Sequence, residues 1–408
     1  MINLKCNEQK VMRDPIHEYI HVDYQVIWDV INSKEFQRLR RIHQMGTSYQ
    51  VYHTAEHSRF SHSLGVYEII RRMVYEVKGL DTYLDEYEKI TIMLAGLCHD
   101  LGHGPFSHFF ESISTPNHEA MSARILLEDS DIHSILIKYD EHLPEHIVSI
   151  LNHTNPNKVL VRMISSQLDA DRMDYLLRDA YFTGTSYGHF DLERILRTLR
   201  VVDNQLVVKE SGVHSVEDYI MARYHMYWQV YYHPTSRSIE AILYAFFNRL
   251  SDCMKLNSDY IIRYPMFSFI STNHPISIQD HYKLDESSCF YGFQCAQEDE
   301  DTILSDLAHR IIERKLFDYE DILTSHDYDI KKQELIDHGY NPEYYLYLDK
   351  AEKRPYSPYS EDDSQIMILM PDKTIKELSQ VSVIVSAIVF GKQKTENKIF
   401  FPKLEGAL

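Results

Sequence analysis

The chain is short of cysteine, of tryptophan, of positive charge and of long apolar runs, and each shortage excludes something. Five cysteines (Cys6, Cys98, Cys253, Cys289, Cys295) are scattered over 408 residues with no C-x-x-C pair among them. That argues against a sulfur-ligated zinc site and for reduced thiols in a cytoplasmic setting. No apolar stretch reaches the ~18 residues a membrane span needs. The first ten residues, MINLKCNEQK, lack the apolar core of a secretory signal. Lysine and arginine number 42 against 61 aspartate and glutamate, a net charge of −19. Such a surface repels nucleic-acid backbones and anionic membranes, so neither is expected as a partner. A small anionic substrate stays admissible where arginines gather locally. The remainder is ordinary globular composition, 44% hydrophobic and 25% charged, without an internal repeat or a low-complexity tract.

What the chain does have is chemistry-bearing residues at the ends and inward faces of apolar helices. Residues 90–98 (ITIMLAGLC) are apolar almost all round and read as a buried helix. An adjacent His99-Asp100 pair follows, and Gly102, Gly104 and Pro105 then break the helix. A buried imidazole beside a buried carboxylate is costly unless compensated, and a divalent cation compensates both. A capping histidine and a salt-bridged aspartate would read the same way. Upstream, apolar residues at 66, 69, 70, 73, 74 and 77 mark one buried helical face. His62 lies one turn before Val66 on that face, with Arg59 near the helix start, where anions are favoured. Residues 159–181 read as a third helix, on which Asp171, Tyr175 and Asp179 share a face at i, i+4, i+8. An intrahelical salt-bridge ladder with Arg172 and Arg178 is the plainer account of that face. Residues 215–249 form an aromatic helix with Arg223, Tyr227 and Tyr231 at the same spacing, interrupted at Pro234, with Thr235 or Ser236 as the next cap.

Other segments set the frame. Asp14-Pro15 reads as a turn. Residues 22–46 read as two helices divided at Asn32-Ser33, the second bearing Gln37, Arg38, Arg40 and Arg41 as a solvated basic face or an anion site. RVVDNQLVVKE at 200–210 reads as a β-hairpin. His108 falls on a short helix after the glycine break, and His118-Glu119 opens another. Residues 353–365, polar with two prolines, read as a linker. Beyond it, 366–369, 381–389 and 399–401 read as strands with a short helix at 375–378.

His62, His99, Asp100 and Asp171 thus form a mixed nitrogen and oxygen ligand set suited to Fe, Mn, Zn, Ni or Mg. H…HD…D is the signature of the HD phosphohydrolase superfamily, an all-α metal-dependent fold. The ordered strings DPIHEYI, EFQRLRRIHQMG, HSRFSHSLG, AGLCHDLGHGPFSH, NHEA and DADRMDYLLRD resemble more closely the dNTP triphosphohydrolases, and the match runs from about Lys10 to His233. The resemblance implies a mainly α, HD-domain fold over 1–352, with its core at about 50–180, followed by a linker and small α+β region at 353–408. It implies one divalent metal held by His62, His99, Asp100 and Asp171. It places His103, His108, His118 and Glu119 as catalytic residues beside the α-phosphate, and Arg59, Arg172 and Arg223 on the triphosphate. Gln44, Tyr175 and Asp179 match residues that contact the sugar 3′-hydroxyl, and Tyr231 the aromatic residue that packs on the sugar.

The implied reaction is dNTP + water → deoxynucleoside + inorganic triphosphate. The family also implies a homotetramer assembled by a nucleotide activator, for which Lys10, Val11, Gln37 and Arg40 align with regulatory-site residues. Asn32 stands where the mammalian enzyme has a guanine-reading aspartate. An amide cannot accept two N–H bonds from a guanine edge, so the resemblance does not extend to guanine selectivity. Two other readings use the same residues: a nucleotide monophosphatase or alarmone hydrolase of the HD group, and a catalytically silent nucleotide sensor.

Overall fold

A computed structural model describes residues 5–114, 116–271, 275–352, 365–391 and 395–404. It is predominantly helical, with three small sheets. The linker read at 353–365 lies, but for Gln365, outside the described residues.

Three helices carry most of the chemistry. The Arg59–Glu76 helix is buried at nearly every position from Arg59 to Ile70, which makes it the central element. It packs against the Glu86–Cys98 and Ala170–Thr183 helices. The second starts at a capping box between Asp85 and Glu88 and buries every residue from Ile90 to Cys98. Past its end the chain turns at Gly102, where a Cβ would stand 2.1 Å from the His118 carbonyl oxygen. The third starts where the Asp169 carboxylate accepts from the Arg172 backbone and stops at left-handed Gly184. What reads as one helix over 159–181 is two, Lys158–Ile164 and Ala170–Thr183.

The turn at Asp14-Pro15 is there, but it joins two antiparallel strands, Lys5–Asp14 and Glu18–Tyr24. The residues expected to begin a helix at Val22 belong to the second strand. One face of this ribbon is solvent-exposed, so its apolar alternation is weak. Helices Gln25–Ile31 and Lys34–Arg38 then divide at Asn32-Ser33, and Ser33 caps the second. The hairpin at 200–210 forms as read, Leu199–Val202 pairing with Gln205–Lys209 across Asp203-Asn204, both at positive φ. Pro234 opens the Pro234–Leu256 helix, with His233 as its cap in place of Thr235 or Ser236.

The C-terminal region is α+β, with two elements exchanged relative to the reading of the sequence. Ile375–Glu377, expected as a helix, is a strand paired with Met367–Leu369. Val383–Phe390, expected within a strand, is a helix capped by Ser382. Val385 and Val389, one turn apart, are buried while Val383 and Phe390 are exposed, so packing along one stripe overrides β-branched propensity. The strands complete sheets begun earlier. Met367–Leu369 runs parallel to Gln205–Lys209, and Thr395–Phe401 lies between Asp318–Asp321 and Tyr347–Glu352.

Two large hydrophobic cores result. One is built mainly from residues 20–230 and the tail, the other from the helices of 241–345. Phe106 and Phe109, just after the HD motif, insert into the second core, with Phe109 edge-on to Tyr244 at 5.2 Å. The loop between the Glu86–Cys98 and His108–Ile113 helices is therefore wedged between the two.

Candidate metal centre and active site

The first turn of the Arg59–Glu76 helix, the end of the Glu86–Cys98 helix and the first turn of the Ala170–Thr183 helix converge. His62 Nε2 stands 3.0 Å from Asp171 Oδ1 and 3.6 Å from Asp100 Oδ2. His99 Nε2 stands 3.3 Å from Asp100 Oδ1 and 3.6 Å from Asp171 Oδ1. Both imidazoles turn Nδ1 away: that of His62 donates to Asp174 Oδ2 at 2.8 Å, that of His99 to the Gly96 carbonyl at 2.8 Å. The two Nε2 atoms and two carboxylates are left facing one another, and His99 Nε2 is buried without a hydrogen bond.

This donor set fits a divalent ion. Ligand atoms bound at about 2.1 Å to one centre stand roughly 3.0–3.5 Å apart, and the four distances here, 3.0–3.6 Å, come close to that. Burial works to lower the His62 pKa, but its hydrogen bonds to Asp171 and Asp174 outweigh that and lift it to about 10. In other words, the cluster draws in positive charge.

The remaining predicted residues sort by position. A cavity of about 500 Å³ opens over the cluster, lined among others by Gln44, Arg59, His103, His118, Glu119, Tyr175, Asp179 and Tyr231. That volume suits a nucleotide-sized ligand. Arg59, almost fully buried, bonds Asp100 through Nη1 and Ser107 Oγ through Nε at 3.2 Å. His103 is stacked on His118 with centroids 3.9 Å apart. Burial, reinforced by Arg59, holds the His103 pKa well below the usual imidazole range, so it stays neutral. His118 donates through Nδ1 to Glu111 at 2.8 Å, a partner that reading His118-Glu119 as a unit overlooks, while Glu119 is exposed at the rim. Tyr231 donates to Asp179 Oδ2 at 2.7 Å, and His57 donates to Asp179 Oδ1 at 2.7 Å. His108 begins the His108–Ile113 helix, but its side chain lies outside the described residues.

Arg172 and Arg223 do not line the cavity. The first bonds Asp169 and the Ser166 carbonyl; the second donates to Gln167 Oε1 at 2.7 Å and lies over Tyr227, itself a lining residue. The expected regulatory residues also stand apart from it. Lys10 and Val11 are on the first strand, and Arg40 donates to Gln37 Oε1 at 2.8 Å while covering the Phe60 ring. Asn32 is exposed, its amide donating to the Trp28 carbonyl.

Sequence reasoning missed Asp174, His57, Glu111 and Glu286, and it read Arg38 as part of a solvated basic face or an anion site where the structure buries it. Glu286 Oε1 accepts from the His43 and Phe106 backbones, both at 3.0 Å, joining two walls of the cavity. Arg38 donates to the carbonyls of Leu284 and His103. The Asp174 and Arg178 pairing at i, i+4 was the one local signal. Glu111 lies seven residues before His118 and Arg38 lies 65 before His103, while the partners of His57 and Glu286 are more than a hundred residues distant, and no spacing rule reaches any of them.

The arrangement defines a class. The HD domain profile matches residues 59–179 and the HD associated region 190–274. The chain belongs to the HD-domain phosphohydrolase family. An uncharacterized protein, YwfO of Bacillus subtilis, is 46% identical over 98% of this chain and 94% of its own length. The deoxynucleoside triphosphate triphosphohydrolase SAMHD1 homolog of Dictyostelium discoideum is 33% identical over 61% of this chain and 51% of its own length. A crystal structure of a phosphohydrolase from Bacteroides thetaiotaomicron superposes with a TM-score of 0.84 at 27% identity, over 97% of this chain and all of that one. Among the described residues no helix is long and apolar enough to cross a membrane.

Proposed function

We propose that the protein hydrolyses dNTPs to deoxynucleoside and inorganic triphosphate, with one divalent metal held by His62, His99, Asp100 and Asp171. The observation that carries this is the convergence of His62, His99 and Asp100, with Asp171 against both imidazoles, a buried arginine and a stacked histidine pair on one cavity of nucleotide size. The triphosphohydrolase name of the Dictyostelium relative supports the same reading. A divalent ion held there supplies Lewis-acid stabilisation of the phosphoryl oxygens and activation of water.

The chain's own residues do the rest. Arg59 faces the charge that develops on the phosphoryl oxygens. His118, held by Glu111, protonates the leaving 5′-oxygen, and neutral His103 fixes the ring it stacks on. Asp179, oriented by His57 and Tyr231, accepts from the sugar 3′-hydroxyl, and Tyr175 and Tyr231 wall the sugar. Arg172 and Arg223 swing from Asp169 and Gln167 to meet the outer phosphates. The regulatory reading goes with this one: a nucleotide on the Lys10, Val11, Gln37 and Arg40 surface assembles a cytoplasmic homotetramer.

Anion-exchange analysis of the products tests the reaction. Triphosphate released in one step is expected, and stepwise orthophosphate would reject it. Asp171→Ala is expected to lose metal and activity while staying folded. A second reading, an HD-type nucleotide monophosphatase or alarmone hydrolase, draws on the absence of Arg172 and Arg223 from the cavity lining. Under it, Arg223→Ala leaves turnover intact; under the dNTPase reading it raises KM for dNTP. Mass measurement with dGTP, dATP and GTP tests the assembly, and no change in mass or rate would end the regulatory reading.

A further inference from the structure

The DPIH string at 14–17 has no part in the reaction proposed above, yet the structure ties it to the metal cluster. Asp174 is fully buried. Its Oδ2 accepts from His62 Nδ1 at 2.8 Å and from Arg178 Nε at 2.9 Å. Its Oδ1 accepts from His17 Nε2 at 2.7 Å and Arg178 Nη2 at 2.9 Å. Arg178, also fully buried, spans to a second carboxylate, Asp14, with Nη1 donating to Oδ2 at 2.8 Å. Asp14 Oδ1 in turn accepts the backbone N–H groups of Ile16 and His17 at 2.9 and 3.1 Å, which closes the turn at Pro15. The path therefore runs from the turn's backbone through Asp14, Arg178 and Asp174 to one imidazole.

We propose that Asp174 is a positioning residue for His62 and that the Asp14–His17 turn anchors it. A carboxylate accepts and cannot donate, so its bond holds a proton on Nδ1 and keeps Nε2 the nitrogen that faces Asp100 and Asp171 and gives up its proton to a cation. A carboxylate behind an imidazole also makes it a stronger metal donor than a neutral acceptor does. The contrast is internal to the site. His99 is oriented by the carbonyl of Gly96 in its own helix, whereas His62 is oriented by a charged group held by Arg178, one turn along its own helix, and by the distant 14–17 turn. Asp174 has four donors on its two oxygens, so it has little freedom to turn away. The first hairpin, by this account, sets the donor strength and aim of the cluster without touching substrate.

The inference rests on the metal-centre reading, and Co²⁺ as probe separates the two. Co²⁺ is titrated calorimetrically into metal-stripped full-length protein, the visible spectrum is recorded at saturation, and the urea midpoint of the stripped protein is measured alongside. For Asp174→Asn the expected result is Co²⁺ affinity lowered 10–100-fold, with a shifted spectrum. A merely structural role would lower the urea midpoint and leave both the affinity of the folded protein and the spectrum unchanged. His17→Phe, which removes one donor and keeps the Asp174–Arg178 pair, is expected to weaken binding several-fold. Folded Asp174→Asn that binds Co²⁺ within twofold of wild type overturns the proposal. If that variant does not fold, wild-type affinity in His17→Phe overturns it. Wild-type protein that takes up no Co²⁺ would instead refute the metal-centre reading beneath it.

Discussion

Gly65 sits in the middle of the Arg59–Glu76 helix, and alanine there tests how tightly the buried network is built. In an ordinary helix the change stabilises by roughly 0.5–1 kcal/mol, because glycine has more backbone freedom to lose. Here an added Cβ would stand 1.8 Å from Asp174 Oδ1 and 2.5 Å from Arg178 Nη2. Neither group can yield cheaply, since both are fully buried and held by His17, His62 and Asp14. Breaking a buried ion pair costs about 3–5 kcal/mol. Subtracting the helix gain leaves Gly65→Ala destabilised by about 2–4 kcal/mol. Urea unfolding of the metal-stripped protein reads this directly. Gly96→Ala is the matched control, because its Cβ would meet Ile70 Cδ1 at 2.2 Å, the far end of a side chain that can rotate. Its overpacking cost should stay within about 2 kcal/mol. Gly65→Ala as stable as wild type would refute the claim that the Asp174–Arg178 pair is rigid.

Burial pushes the Glu286 pKa up to about 7, against hydrogen bonds from Phe106 and His43 that lower it. The folded state then binds this proton more tightly than the unfolded state, so its contribution is full below about pH 4.5 and is lost as pH rises through 7. Against Glu286→Gln, wild type should lose up to about 3 kcal/mol across that window; a stability difference that does not vary with pH would contradict this. Phe246, fully buried and edge-on to Phe293 at 4.9 Å, should cost about 3–5 kcal/mol as alanine, read as a lower urea midpoint. Chelation should lower the unfolding transition of metal-loaded protein, by about 2.7 kcal/mol from a starting metal concentration 100 times Kd. An unchanged transition after verified metal removal would argue against an ion in the folded core.

Some of this was legible before the structure, and the reason is local. His62, His99, Asp100 and Asp171 could be read because each sits at the end or on the inward face of a helix whose apolar spacing is plain. The turn at Asp203-Asn204 carries its own chemistry. The tail was not legible: VSVIVSAIVF is as good a strand as a helix until Ser382 caps it and one stripe finds a core. Arg223 shares the spacing of Tyr227 and Tyr231, and Arg172 adjoins Asp171, yet side-chain partners and not helical phase decide where a guanidinium points. Asp174 is the deepest miss, since its meaning depends on His17, 157 residues away.

Strand Thr395–Phe401 occupies the middle of its three-stranded sheet, yet it follows both of its neighbours in the chain. During synthesis Asp318–Asp321 and Tyr347–Glu352 leave the ribosome with no ladder to join, and their edges wait for the last piece to arrive. Phe400, the last residue but one of that piece, is also part of the second core. That half of the molecule therefore cannot close before Thr395–Phe401 has been made, and the interval before closure is when it is most exposed to aggregation and to proteases.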